Sequence, residues 1–129
     1  MQVDSEFILN GWKQANSIPG GKLVFSLMIK KLIPYTGSLG AQIIKIEKGN
    51  VELRLKDRRG VRNHLSSIHA MALANLGEFT TGLAVVTGVP PKMRAILKAF
   101  EIEYLKKARE TLTAKSTYTH KESPNEADD

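Results

Sequence analysis

A single carboxylate stands in the most apolar part of the sequence. Between Ile68 and Val89 almost every residue is Ala, Leu, Val, Gly, Met, Phe, Thr or Asn, and Glu78 is the only acid, with no Lys or Arg beside it. Because an unpaired carboxylate is costly in apolar surroundings, the position of Glu78 favours a functional role. A carboxylate can take a proton from water or attack a carbonyl carbon, so Glu78 is a candidate catalytic residue. The alternative is that Glu78 simply reaches solvent.

The composition of the chain argues against several other kinds of site and location. The chain has no cysteine, which excludes disulfides and thiolate catalysis and favours a reducing, cytoplasmic location. Three histidines without a carboxylate cluster predict no metal site. The first residues lack the basic region of a secretory signal peptide. The polar side chains within Ile68–Val89 argue against a membrane span.

The net charge points to an anionic partner. The 129 residues suit one domain, and their formal charge is +6. The segment Thr119–Asp129 has a net charge of −3, which leaves +9 on the rest of the chain. Nucleic acid, an anionic membrane surface or a phosphorylated small molecule would each suit that charge, as would a merely solvated surface.

Two helices are predicted within residues 1–35. Asp4–Asn16 has an amphipathic pattern, and Leu23–Leu32 follows helical spacing until Pro34 ends it. Lys30 and Lys31 beside the second apolar stripe would suit a membrane-surface helix. A helix that covers the core is the preferred interpretation.

Strands and a central helix follow. Val51–Leu55 alternates apolar and charged residues, Leu39–Glu47 is its predicted hairpin partner, and Thr111–Thr119 is a third strand. Residues 66–88 are predicted to form the central helix, capped by Ser66 or Ser67. Since this helix is apolar almost all round, burial on most sides is expected.

The segment from Met93 to Leu105 carries conflicting signals. Its apolar residues match helical spacing, yet Ile96, Phe100, Ile102 and Tyr104 would also share one face of a strand. Periodicity alone favours a helix.

The spacing of Asn63, His69-Ala70 and Glu78, inside a small-residue helix after two strands, resembles the hotdog-fold thioesterases. It is most similar to the phenylacetate-type acyl-CoA thioesterases and a related uncharacterised bacterial hotdog family. Their pattern is an Asn, a His-Gly-Gly about six residues later, and an acid nine residues after the His. The flanks "RRGVRNH" and "FEIEYLKKAR" also resemble the uncharacterised family.

The resemblance, which extends from about Gly37 to Thr119, implies an α+β fold in which an antiparallel sheet wraps around one long central helix. Residues 1–120 would form a single domain, and Met93–Tyr104 would be a strand of the sheet. The implied activity is hydrolysis of acyl-CoA or acyl-carrier thioesters, with coenzyme A only as part of the substrate. The implied oxyanion site is the N-terminus of the central helix, chiefly the Ala70 amide.

The remaining site residues are assigned on the same basis. Glu78 would be the general base or nucleophile, and Asn63 would orient water or the carbonyl. Thr81 lies on the face of Glu78, and His69 belongs to the motif. Candidates for the phosphates of coenzyme A are the loop cations Arg58, Arg59, Arg62, Lys92 and Arg94.

Helix geometry predicts more than one subunit. At about 100° and 1.5 Å per residue, His69 and Glu78 face opposite sides of the helix and stand about 13 Å apart along its axis. One helix cannot bring both to one pocket, whereas two antiparallel copies can. A homodimer or tetramer is therefore expected, with each site shared between two subunits.

Two departures from the pattern keep other functions open. Ala70 and Met71 replace the glycines, and no further strand follows Thr119; residues 121–129 predict a disordered acidic tail or a truncated end. A non-catalytic hotdog module that binds acyl-CoA is the first alternative. Nucleic-acid binding is less favoured, because no recognised binding motif accompanies the positive charge.

Overall fold

A three-stranded antiparallel sheet and one long helix form the centre of the fold. The computed structural model describes residues 3–121. The strands are β1 (Gln42–Glu47), β2 (Asn50–Leu55) and β3 (Leu112–Thr117), in the sheet order β1–β2–β3. The helices are α1 (Ser5–Asn16), α2 (Gly21–Leu32), α3 (Pro34–Gly37) and α4 (Ala70–Gly88). One turn of 3-10 helix spans Arg59–Val61.

The alternation of β2 places one of its faces in the core. Val51, Leu53 and Leu55 have no exposed surface, whereas Arg54, on the opposite face, is exposed. A two-residue turn, Lys48-Gly49, joins β1 to β2, and Gly49 adopts φ 70°, a left-handed conformation that glycine adopts without strain. The predicted hairpin and the predicted third strand are both confirmed.

The N-terminal helices cover one side of the core. The Asp4 carboxylate caps α1 by accepting a hydrogen bond from the Phe7 N–H at 2.9 Å. Trp12 of α1 meets Phe25 of α2 edge to face, with 5.5 Å between ring centroids. α2 ends before Pro34, whose ring begins α3, so both predicted helices are confirmed.

The central helix begins four residues later than predicted. Its cap is His69 rather than Ser66 or Ser67. Ser66 has φ 58°, which is incompatible with a right-handed helix, and Ser67 is buried in the loop before the helix. The prediction of burial on most sides is only partly correct: Leu76, Phe79 and Leu83 are buried, but Glu78 and its neighbours border open space. By length and hydropathy alone α4 could cross a membrane; here it packs against β2, β3 and α1.

The segment between α4 and β3 forms neither the strand nor the helix that its sequence suggested. From the end of α4 the chain runs back along that helix, and the Ala108 C=O accepts a hydrogen bond from the Ile68 N–H at 2.8 Å. Within residues 3–121 no strand lies beside Met93–Leu105, so it has no ladder to join. Its large apolar side chains (Ile96, Leu97, Phe100, Ile102, Tyr104 and Leu105) are 42% to 91% exposed.

The outer edge of β3 is also unpaired in the described part of the chain. β3 pairs with β2 from Leu112↔Leu55 to Thr117↔Asn50, and its other edge has no strand partner there. Apart from Lys121, the tail for which disorder was predicted lies outside the described residues.

Thr87 links the hairpin turn to the end of α4, and its removal should destabilise the fold. The buried Thr87 hydroxyl accepts the Gly49 N–H at 3.1 Å. Thr87→Val would leave that buried N–H without an acceptor, so we expect the free energy of unfolding to fall by about 1–3 kcal/mol. Urea unfolding of the purified protein measures this loss.

Thr80→Val is the matched control. The Thr80 side chain is equally buried, but its hydroxyl donates only to the Leu76 C=O of its own helix. We expect this variant to lose less than about 1 kcal/mol. Equal losses in the two variants would contradict a structural role for the contact between Thr87 and Gly49.

Candidate functional site

Asn63 organises the loop that leads into α4. Its Oδ1 atom accepts the N–H groups of Leu65 at 2.9 Å and Ser67 at 3.1 Å, while its own backbone N–H donates to the Ser67 C=O at 2.7 Å. Among residues 3–121, no hydrogen bond uses the two N–H groups of its carboxamide. Asn63 therefore shapes the loop through its oxygen and keeps two donors available beside the helix start.

His69 caps α4 with its imidazole ring. The Nδ1 atom accepts the Met71 N–H at 3.0 Å, which requires an unprotonated Nδ1 and, in the neutral ring, assigns the proton to Nε2. The His69 backbone N–H donates to the Val61 C=O at 2.7 Å, so both ends of the residue are held. Ser, Thr, Asn and Asp are the usual caps, which is why the sequence favoured Ser66 or Ser67.

The N–H of Ala70 is left as a free donor at this helix end. The neighbouring amides of His69 and Met71 are engaged, whereas no hydrogen bond within residues 3–121 uses the Ala70 N–H. The first amides of a helix lack intrahelical acceptors and lie at the positive end of its dipole. This is an arrangement that can bind an oxyanion or a carbonyl oxygen.

Tyr104 contributes to the same region and was not identified from the sequence as a site residue. Its hydroxyl donates to the Ala70 C=O at 2.9 Å and so fastens the segment after α4 to the first turn. The only signal in the sequence was its place on the ambiguous apolar face of Met93–Leu105. That pattern does not reveal which helix end the hydroxyl reaches.

Glu78 lines a large open cavity without a charge partner. The cavity measures about 710 Å³ and lies between α4, the N-terminal helices and residues 95–99. Most of its wall is apolar, including Ile8, Leu83 and Val86. Lys98 also lines it, yet no ion pair or hydrogen bond to the Glu78 carboxylate occurs among residues 3–121. The half-buried carboxylate is therefore free to act on something that enters the cavity.

Thr81 directs its hydroxyl to the helix backbone. Its Oγ1 donates to the Gly77 C=O at 2.9 Å, and the Glu78 C=O lies 3.2 Å from the same oxygen. Thr81 lines the cavity of Glu78, but its hydroxyl proton is engaged away from the carboxylate.

The candidate residues thus form two groups on one helix. Ala70 begins α4, with His69 as its cap and Asn63 in the loop before it, while Glu78 and Thr81 lie about two turns further along the helix. A single copy of the chain places Asn63 and Ala70 in or beside the loop that leads into α4, but it does not bring the Glu78 carboxylate to them.

The five predicted phosphate-binding cations have different environments. Arg62 forms a two-pronged ion pair with Asp57, at 2.7 and 3.0 Å, and its hydrogen bond holds the pKa of that carboxyl below the usual value. Arg58 donates to the Leu39 C=O at 2.9 Å. The other three, Arg59, Lys92 and Arg94, are exposed and form no ion pair within the described part of the chain.

Asp57 was missed as a partner, although the sequence contained a signal for it. It is the only acid between Glu52 and Glu78, in a loop that holds three arginines. Arg59 also lies near the start of α4 and Lys92 beyond its end, so the length of a 19-residue helix, about 28 Å, separates them. No group of three or more His, Asp or Glu side chains that could hold a metal occurs among residues 3–121.

Two solved structures are similar to this one. The crystal structure of the genomics target APC5556 has 29% sequence identity and a TM-score of 0.74, and the match covers 86% of this chain and 74% of that one. PA5026 from Pseudomonas aeruginosa, a protein of unknown function described as a probable thioesterase, has 23% identity and a TM-score of 0.63. That match covers 69% of this chain and 60% of the other. These similarities confirm the predicted α+β hotdog fold.

Sequence comparison identifies the family. No curated protein matches significantly. Residues 21–129 match the family described as a domain of unknown function, DUF4442. Because the match includes all of the sheet, α4 and the loop with Asn63, the chain belongs to the DUF4442 family.

Proposed function

We propose that this protein hydrolyses acyl-CoA or related acyl thioesters at a site shared between two subunits. The observation that carries the proposal is Glu78, a carboxylate without a partner among residues 3–121, in the wall of an open and largely apolar cavity. Such a cavity suits an acyl group, and the carboxylate suits activation of water. The similarity to PA5026, a probable thioesterase, supports the same class of reaction.

The start of α4 would stabilise the charge that develops during the reaction. The Ala70 N–H and the carboxamide of Asn63 supply donors for the thioester carbonyl oxygen. Glu78 of the second copy removes a proton from water, the water oxygen attacks the carbonyl carbon, and negative charge builds on the carbonyl oxygen. When the tetrahedral intermediate collapses, the carbon–sulfur bond breaks, and the leaving thiolate takes up the proton that Glu78 removed from water.

Two uncovered surfaces of the molecule support the presence of a second copy of the chain at the site. Glu78, Gly82 and Val85 of α4 border the open cavity, together with Ile96 and Leu97. From Ile96 and Leu97 the exposed apolar side chains continue along the chain to Leu105. Isolated apolar residues at a surface are ordinary, but a continuous exposed set indicates an interaction site. Two antiparallel copies of α4 would cover both features and bring each Glu78 towards the other Ala70.

The same arrangement would gather the candidate phosphate ligands. Within one copy, Arg59 and Lys92 are too far apart for one coenzyme A phosphate group. In an antiparallel pair, the end of one α4 lies near the start of the other. Arg59 of one subunit would then approach Lys92 and Arg94 of the second, around the mouth of the site.

A panel of acyl-CoA thioesters of different chain lengths tests the activity directly. Release of free thiol, followed with a chromogenic thiol reagent, would establish hydrolysis. Saturable binding of acyl-CoA without thiol release would instead identify the non-catalytic hotdog module. The absence of both binding and thiol release would rule out both functions.

Glu78→Gln should abolish turnover and leave the fold intact. The amide cannot accept the proton of the attacking water, so we expect kcat to fall by at least about 100-fold. The free energy of unfolding should stay within about 1 kcal/mol or rise, because the lost charge has no partner among the described residues. Glu47→Gln, a change at an exposed position of β1 outside the segment Ile96–Leu105, is the control and should retain full activity. Turnover at the wild-type rate in Glu78→Gln would refute the mechanism.

Two substitutions of Asn63 separate its role in the loop from its proposed role in catalysis. Asn63→Asp keeps the oxygen that accepts from Leu65 and Ser67 but removes both carboxamide donors, so we expect a stable protein with kcat/KM at least about tenfold lower. Asn63→Ala should lose both the activity and about 1–3 kcal/mol of stability, because the two loop N–H groups lose their acceptor. Full activity in a stable Asn63→Asp would restrict Asn63 to the loop.

The native molecular mass tests the shared site. Light scattering at micromolar concentration should give a dimer or tetramer. Phe100→Ser, in the exposed segment, should shift the protein towards the monomer and lower its activity in parallel, whereas Lys107→Ser, an exposed change outside Ile96–Leu105, should not dissociate it. An active monomer would be incompatible with a site built from two subunits.

A further inference from the structure

α2 presents a second exposed apolar surface, formed by residues that do not line the cavity of Glu78. Here it is called the α2 outer face. Its members are between 51% and 76% exposed: Ile18, Leu23, Val24, Leu27 and Tyr35. The face follows the whole length of α2, from the turn before it to α3 after it.

The residues of the α2 outer face do not belong to the hydrophobic core. Phe25 and Ile29, on the inner side of α2, are 3% and 2% exposed and belong to the core. At 100° per residue, Leu23, Val24 and Leu27 fall in an arc of about 100° turned away from that side. The prediction that α2 covers the core is therefore correct for its inner side and leaves the outer one unexplained.

Two lysines flank the α2 outer face at the end of the helix. Lys30 and Lys31 fall at the edge of and within the same arc, and both are exposed. Residues 7–46 contain five lysines and no acid; the nearest acids along the chain are Glu6 and Glu47. A surface helix that combines an apolar stripe with flanking lysines has the pattern of helices that lie in a membrane interface.

We propose that the α2 outer face docks on the surface of an anionic lipid bilayer. Leu23, Val24 and Leu27 would enter the boundary between head groups and acyl chains. Lys30 and Lys31 would extend their ammonium groups to the lipid phosphates while their methylene stems stay in the apolar layer. Tyr35, with an apolar ring and a polar hydroxyl, suits the same depth.

Charge complementarity favours a lipid surface over a second copy of the chain. In a two-fold interface the patch faces a second copy of itself, so the Lys30 and Lys31 side chains of both subunits would lie in one contact. Like charges placed against each other weaken such a contact, and the patch contains no acid to compensate for them. An anionic bilayer satisfies the apolar and the charged parts together.

Vesicle flotation with the full chain tests the proposal. We expect binding to vesicles of phosphatidylcholine mixed with phosphatidylglycerol, little binding to phosphatidylcholine alone, and release as salt is raised. Since each lysine near an anionic surface contributes about a fivefold factor, Lys30→Gln with Lys31→Gln should weaken partitioning by about 30-fold. The matched control is Lys106→Gln with Lys107→Gln, another adjacent exposed pair with the same change of charge.

The apolar part of the face has its own test. Leu23→Ser with Leu27→Ser should weaken partitioning at least about tenfold and leave the native mass unchanged. Vesicle binding that fails, or that responds equally to the control pair of lysines, would overturn the proposal. So would dissociation of an oligomer by Leu23→Ser with Leu27→Ser, because a second copy would then occupy the face. Glu78→Gln should bind vesicles like the wild type, so this outcome is independent of the proposed hydrolysis.

Discussion

The burial of α4 is the constraint on which the rest of the structure depends. This helix has apolar side chains on nearly every side, and no single layer can cover them all. The sheet covers one side through β2 and β3, and α1 and α3 close part of another. The remaining side, with Glu78, stays open to the cavity. Whatever covers that side has to accommodate a carboxylate, which separates this side from an ordinary piece of core.

Elements governed by local rules were predictable from the sequence. The hairpin followed from the strict alternation of Val51, Leu53 and Leu55 and from Gly49 in the turn. α1 was predictable from its amphipathic spacing, which depends only on residues three or four apart along the chain. The start of α4 did not, because Asn63 holds a compact loop through Ser67 that outweighs the helix preference of the residues after Ser66. Propensity alone contains no information about such a loop.

The segment Met93–Leu105 shows a different limit. Its spacing agreed with a helix and its family resemblance with a strand, but a strand exists only where a partner supplies a ladder. The partner is a property of the assembled sheet rather than of these residues. The same holds for the cavity of Glu78, whose wall combines residues from the first helix to beyond the fourth.

For the candidate site, the positions of residues along the chain were predictable from the sequence, but the directions of their hydrogen bonds were not. The spacing of Asn63, His69 and Ala70 placed these candidate residues at or just before one helix end, because short separations along a chain limit distance in space. The hydrogen-bond directions were not foreseeable: His69 caps the helix through its ring, and Thr81 turns its hydroxyl to the backbone. Arg62 was expected to be free for phosphate, whereas Asp57, five residues earlier, engages it.

The position of β3 has a consequence for the route by which the chain folds. β1 and β2 meet through a two-residue turn, but β2 meets β3 only by pairing residues such as Asn50 and Thr117. Closing so long a loop delays the second pairing, so the hairpin and α4 are expected to form before β3 docks. During that interval one edge of β2 has no ladder partner. The alternating charges of Glu52 and Arg54 on its outer face then disfavour pairing with another chain, a protection that the finished sheet no longer requires.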